Sequence, residues 1–155
     1  MAKSELVTAN WLTQHIQENI PLSQTMQFEV LSLDVDSIAS SIKVAAPLEP
    51  NINIHGTGFA GSLYSLAVLT AWGLTSVFVR ESGVSADVVV SQAEIKYRKP
   101  VNTDIHCECI CTTDVKAAFV EALKLKGKGK LALRVNIGTA GEALLNASMV
   151  AIKHP

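Results

Sequence analysis

Apolar residues recur at helical spacing near the N-terminus: Leu6, Val7, Trp11, Leu12, Ile16 and Ile20, with His15 among them. That recurrence predicts an amphipathic helix of about four turns, with Ser4 as N-cap and Pro21 as its stop. From Met26 onward the period drops to two. Phe28 and Val30, then Leu31, Leu33 and Val35, then Ile38, Ile42 and Val44 predict two strands joined by a hairpin at residues 34–37. A slip of phase between Val30 and Leu31 predicts a bulge.

The run PLEPNINIHGTG, residues 47–58, carries two prolines, two glycines and two asparagines and reads as an ordered loop. Residues 59–80 then read as a helix closed by Gly83. Its apolar residues, Leu63, Leu66, Val68, Leu69, Trp72, Leu74, Val77, Phe78 and Val79 among them, go round the whole cylinder. A helix apolar all round is buried all round. Wrapping a curved sheet about it is the economical way to do that in a single domain of 155 residues. The greasiest stretch, residues 63–74, is broken by Ser65, Thr70 and Gly73 and falls short of the ~20 residues of a membrane span.

The rest of the chain supplies strands. Val89, Ala93, Ile95 and Tyr97 alternate with polar residues up to Pro100, and Ile105, Cys107, Cys109 and Cys111 share one face of the next strand. Asp114 is placed to cap a short Ala-rich helix ending near Gly127. Leu131, Leu133, Val135 and Ile137 form another strand, and residues 145–152 close the sheet. That last strand is apolar on both faces, so one face is expected to meet another subunit.

Composition narrows the function. Thirteen Lys and Arg against 14 Asp and Glu give a net charge of −1, which offers nucleic acid no attractive field. The first twenty residues mix polar and apolar side chains with no secretory apolar block. Three cysteines make no disulfide framework. The expectation is one cytoplasmic domain over residues 1–155, with no membrane and no nucleic-acid partner. Cys107, Cys109 and Cys111 at i, i+2 spacing line a core face, with His106 pointing the other way, so no metal is expected.

One run carries a resemblance: Asn53-Ile54-His55-Gly56-Thr57-Gly58-Phe59-Ala60-Gly61-Ser62-Leu63-Tyr64-Ser65-Leu66. It resembles the loop-and-helix signature of acyl-CoA thioesterases related to phenylacetate thioesterase. The run Ala93-Glu94-Ile95-Lys96-Tyr97-Arg98-Lys99-Pro100-Val101, followed by Asp104, is similar to that family's third-strand pattern. Pro50-Asn51, the Phe59–Leu63 helix start and Trp72-Gly73 are similar to the YiiD C-terminal domain family of thioesterases. The resemblance implies an α+β hotdog fold: a long central helix wrapped by a curved antiparallel sheet of about six strands, plus the N-terminal helix. It implies acyl-CoA or acyl-carrier-protein as substrate, no cofactor, and a homodimer or dimer of dimers.

Thioester hydrolysis needs a polarised carbonyl, a place for the oxyanion and a water with a base. A helix starting at Phe59 offers free backbone N–H groups and a positive dipole end, and Gly56, Gly58 and Gly61 allow close approach. The alternative is that these glycines serve a tight turn and close packing. Related enzymes carry a carboxylate two turns into the helix; here that position is Val68, and no Asp or Glu lies between Glu49 and Glu81. Asn53 matches a family position that orients water or substrate. His55 is the candidate base, or else a structural loop histidine. Asn51, Thr57, Phe59, Ser62, Tyr64 and Ser65 are candidate lining residues, and Arg98 and Lys99 candidate phosphate contacts. Asp34 or Asp36 reaching across a dimer is a further candidate; hairpin aspartates also form turns. Lys124, Lys126, Lys128 and Lys130, around two glycines, read as a basic loop, either a solvated turn or a phosphate contact for coenzyme A or a carrier protein. The missing carboxylate keeps a second reading open, a non-catalytic module that binds acyl thioesters. A dehydratase would want a His paired with a helix Asp or Glu, and that pairing is lacking here.

Overall fold

A computed structural model describes residues 7–35 and 38–155. The first helix, α1 (Ala9–Asn19), starts at Thr8, whose hydroxyl accepts from Trp11 N at 3.1 Å; Ser4 and Leu6 lie outside the described residues. Leu12 and Ile16 are its buried face. Pro21 does not simply stop this helix. It occupies the first turn of a second one, α2 (Pro21–Met26), because a missing N–H costs nothing where the helix has no carbonyl to receive it.

Strands β1 (Glu29–Asp34) and β2 (Ala39–Ala46) pair antiparallel, with the register shift between Val30 and Ser32 where the phase slip predicts a bulge. Asp36 and Ser37, in the predicted hairpin, lie outside the described residues. A short turn of 3-10 helix (Glu49–Asn51) leads into the long helix α3 (Ala60–Ser82), which ends on Gly83 at φ +76°. Then follow β3 (Ala86–Tyr97), β4 (Ile105–Thr112), α4 (Thr113–Lys126), β5 (Lys128–Ile137) and β6 (Ala143–Lys153). All pairings are antiparallel, in the order β1-β2-β4-β5-β6-β3. The sheet curls about α3, which is the hotdog arrangement.

The core lies between the concave face and α3. Leu63, Leu66, Leu74, Val77 and Phe78 of the helix meet Ile42, Val44, Ile105, Val135, Leu145 and Met149 of the strands, all at most 3% exposed. Each such side chain contributes ~1.5–3 kcal/mol by leaving water. At 23 residues, α3 is long and apolar enough to cross a membrane by composition, but it is the buried core helix. Burial is not complete all round. Gly61, Ser65, Val68, Trp72 and Ser76 are half-buried, and Tyr64 and Arg80 exposed, so one stripe at three-to-four-residue spacing stays open beside β3.

Two further expectations are corrected. Asp114 is not the N-cap of α4; Thr112 is, and Asp114 sits in the first turn. There the Thr112 hydroxyl and the N–H groups of Asp114 and Val115 hold its carboxyl below the usual range. The four lysines are not a loop. Lys124 and Lys126 end α4, Gly127 turns the chain at φ +70°, and Lys128 already belongs to β5.

Candidate functional site

The loop before α3 is organised by one side chain. Asn53 Oδ1 accepts from His55 N at 2.9 Å and Thr57 N at 3.0 Å. Asn53 Nδ2 donates to Thr57 Oγ1 at 2.8 Å and Gly58 O at 3.4 Å. All four hydrogen-bonding positions of the amide are thus spent inside the loop. Backbone bonds close it further, from Asn53 N to Thr57 O at 2.8 Å and from Phe59 N to Asn51 O at 2.7 Å. Gly56 supplies the left-handed conformation at the tip, φ +78°.

Phe59 is the N-cap of α3 and brings no side-chain hydrogen bond, so among the described residues no side chain caps the first-turn N–H groups of Ala60, Gly61 and Ser62. At Ala60 this turn borders a cavity of about 340 Å³ that brings together Asn53, Thr57, Gly58 and Ala60 from the helix side with Arg98 and Lys99 from beyond β3. Tyr97 joins them and was not in the predicted set. Its hydroxyl donates to Ala60 O at 2.8 Å. Burial, and then the neighbouring Tyr64, push its phenol above the usual value. The signal was present in the Lys96-Tyr97-Arg98-Lys99 run, but only the antiparallel course of α3 and β3 puts the end of one beside the start of the other.

Other residues scatter. His55 is exposed at the loop tip and shares a shallow apolar hollow with Ile52, Asn53, Ile54 and Phe59; Ile54 is 95% exposed. Asn51 is not available to a substrate. It is 1% exposed and donates from Nδ2 to Met26 O at 2.9 Å and Pro47 O at 2.8 Å, tying α2 to the loop. Ser62, Tyr64 and Ser65 lie on or beside the open stripe of α3, with Val68 one turn further along. Asp34 ends β1, at the opposite sheet edge from β3; Asp36 lies outside the described residues.

Gly61 is small for a local reason. A Cβ there would stand 2.6 Å from Phe59 Cε1 and 2.9 Å from Cζ, so the Phe59 ring lies across the first turn. Cys107, Cys109 and Cys111 face the core, and burial pushes the first two thiols up to about 12. They are neutral and shielded.

Residues 9–149 match the family described as "Putative thioesterase (yiiD_Cterm)". A solved structure from Shewanella oneidensis, named a "putative thioesterase", is 32% identical, with a TM-score of 0.79 over 93% of this chain and 96% of that one. A protein of unknown function from Chlorobaculum tepidum TLS is 30% identical, with a TM-score of 0.86 and 94% of each chain covered. The PaaI protein of the E. coli phenylacetic acid degradation operon is 14% identical, with a TM-score of 0.57 over 95% of this chain and 94% of that one, a likeness of fold.

Proposed function

The chain belongs to the YiiD C-terminal thioesterase family, and on that premise we propose that it hydrolyses acyl-CoA or acyl-carrier-protein thioesters at the start of α3. The observation that carries this reading is the uncapped first turn of α3, opening on a cavity that also holds Arg98 and Lys99. Free N–H groups at a helix start stabilise an oxyanion, and each such donor is worth ~10²–10³ in rate. The two cations suit the phosphates of coenzyme A or of a carrier's prosthetic arm.

In this reading the Phe59 ring, 53% exposed, swings off Gly61 to admit the thioester carbonyl to the N–H groups. Thr57 and Gly58 border the carbonyl, and the acyl chain follows Ser62, Tyr64 and Ser65 along the open stripe. Water attacks the carbonyl carbon while its proton passes to His55, whose hollow also holds the Phe59 ring and joins the helix start once that ring has swung. The C–S bond then breaks, and the thiolate leaves with the proton from the imidazolium. Asn53 acts as a positioning residue, since its Oδ1 holds the His55 amide and so sets the loop tip.

A second copy pairs along β3. Among the described residues the outer edge of this 12-residue strand is free in the sheet order, and the half from Gln92 to Tyr97, past the register shift after Val90, runs beside the helix start. An open edge of that length invites pairing. Homodimerisation would close the stripe of α3 and place the acyl path between the two chains.

Val68 at the carboxylate position favours a second reading, a module that binds acyl thioesters without hydrolysing them. A thiol-release assay across acyl-CoA chain lengths, with Asn53→Ala as control, separates the two. Release at one or more chain lengths, lost in the variant, supports the enzyme. Binding without release at every length assigns the module.

A further inference from the structure

At the other end of α3, three side chains meet that the thioesterase reading does not use. Ser85 Oγ lies 2.8 Å from His154 Nδ1, and His154 Nε2 lies 2.8 Å from Asp87 Oδ1. Backbone bonds hold the pieces together: His154 N donates to Ser85 O at 3.0 Å and Lys153 N to Gly127 O at 2.8 Å. The hydrogen-bond network assigns the protons. A carboxylate only accepts, so Nε2 carries the hydrogen, and the Nδ1 lone pair receives the Ser85 hydroxyl. Ser85 and Asp87 stand on the wall of a groove of about 650 Å³ lined also by Trp11, Trp72, Arg80 and Val84. A 23-residue helix separates this groove from Gly61 by ~30 Å.

We propose that Ser85, His154 and Asp87 form a second hydrolytic site, acting on small carboxylic esters with an apolar or aromatic acyl group. Ser85 Oγ bonds the ester carbonyl carbon as His154 takes the hydroxyl proton. The C–O bond breaks, and the imidazolium gives that proton to the departing alkoxide. Water repeats the sequence on the acyl-serine, releasing the carboxylic acid and restoring the hydroxyl. Asp87 fixes the tautomer and pairs with the imidazolium. The ring is turned relative to the usual serine hydrolase, with Nδ1 facing the serine; either nitrogen serves as base once a carboxylate holds the other. The indole of Trp72 gives the acyl group an apolar wall, beside Trp11, which is stacked on His15 at 4.8 Å. Arg80, whose guanidinium stands 4.4 Å over the Trp11 ring, is the groove's cation for the oxyanion. With the His154 side chain 47% and the Asp87 side chain 75% exposed, the site is open to solvent and a slow hydrolase is expected.

The test is covalent labelling of the full chain with an ethyl fluorophosphonate, read by intact mass and peptide mapping. The expected result is one adduct, on Ser85, absent in Ser85→Ala and formed ~100-fold more slowly in His154→Gln, the share of a general base. Hydrolysis of p-nitrophenyl acetate should fall in the same two variants. Thiol release from acyl-CoA should be unchanged in Ser85→Ala, so this proposal and the thioesterase reading fail separately. Melting temperatures of both variants show whether they are folded when labelled. No adduct on Ser85 in the folded protein, or equal labelling in His154→Gln, overturns the proposal and leaves the three residues as a tie for the C-terminus.

Discussion

Gly61→Val separates two jobs for one small residue. The new Cβ would meet Phe59 Cε1 at 2.6 Å, so the ring has to yield, and it is the far end of a side chain 53% exposed. It can rotate into solvent at small cost. Valine also has the better helix propensity, by ~0.3 kcal/mol. The expected net change in stability is within ~1 kcal/mol, a shift of ~2–4 °C in Tm for a chain of this size. Activity should respond far more, because the valine methyls stand where a thioester carbonyl approaches the backbone. Loss of one oxyanion donor lowers kcat by ~10²–10³. Thiol release at saturating acyl-CoA, beside a calorimetric Tm, reads both quantities. The double variant Phe59→Ala/Gly61→Val removes the clash and keeps the methyls, so it should remain inactive. Near-normal turnover in Gly61→Val refutes the reasoning, and so does recovery in the double variant, which would blame the displaced ring.

Asn53→Ala removes four hydrogen bonds from the loop; hydrogen exchange at the His55 and Thr57 amides should speed up and turnover fall, with Tm little changed. Thr8→Ala deletes the cap of α1 and should cost ~1 kcal/mol, seen as a Tm lower by ~2–4 °C. Gly129→Ala drives a Cβ to 2.8 Å from Phe119 O and 2.9 Å from its ring, so a loss of ~1–3 kcal/mol is expected as a lower urea midpoint at unchanged slope. Cys107 and Cys109 titrate near 12 in the folded chain against 9.0 as the ordinary value. Between those values the folded state holds more protons than the unfolded one. Stability should therefore be intact below pH 9 and fall above it, by up to ~1.4 kcal/mol per pH unit for each thiol. Urea melts at pH 8, 9 and 10 should show that slope flattened in a Cys107→Ala/Cys109→Ala variant; an equal slope would rule the thiols out as its source.

Much of the fold was legible because burial writes itself into periodicity. Strands buried on one face alternate, and the helix under the sheet is apolar on nearly every side. Gly83 and Gly127 mark helix ends because both adopt positive φ. Pro21 misled because one property, the missing N–H, both ends a helix and opens one, and PLSQTM is too short to show a period. The four-lysine run misled because Gly129 inside it looks like a turn residue until Phe119 is seen packed on it within β5. The candidate site was legible as a loop rich in glycine and asparagine, yet its internal hydrogen bonds were not. Nothing in the spacing tells that Asn53 is fully engaged, that Asn51 turns inward, or that Phe59 lies over Gly61. Tyr97 enters only through tertiary structure, thirty-seven residues after the carbonyl it bonds.

The central claim is that the first-turn amides of α3 receive the acyl carbonyl. Amide chemical shifts of the ¹⁵N-labelled protein, titrated with a non-hydrolysable acyl-CoA thioether ketone, test it most directly. The account predicts saturable shifts at Ala60, Gly61 and Ser62, accompanied by Arg98 and Lys99. Shifts confined to the groove beside Trp72 and Arg80, with the first turn of α3 unmoved at saturation, would contradict it.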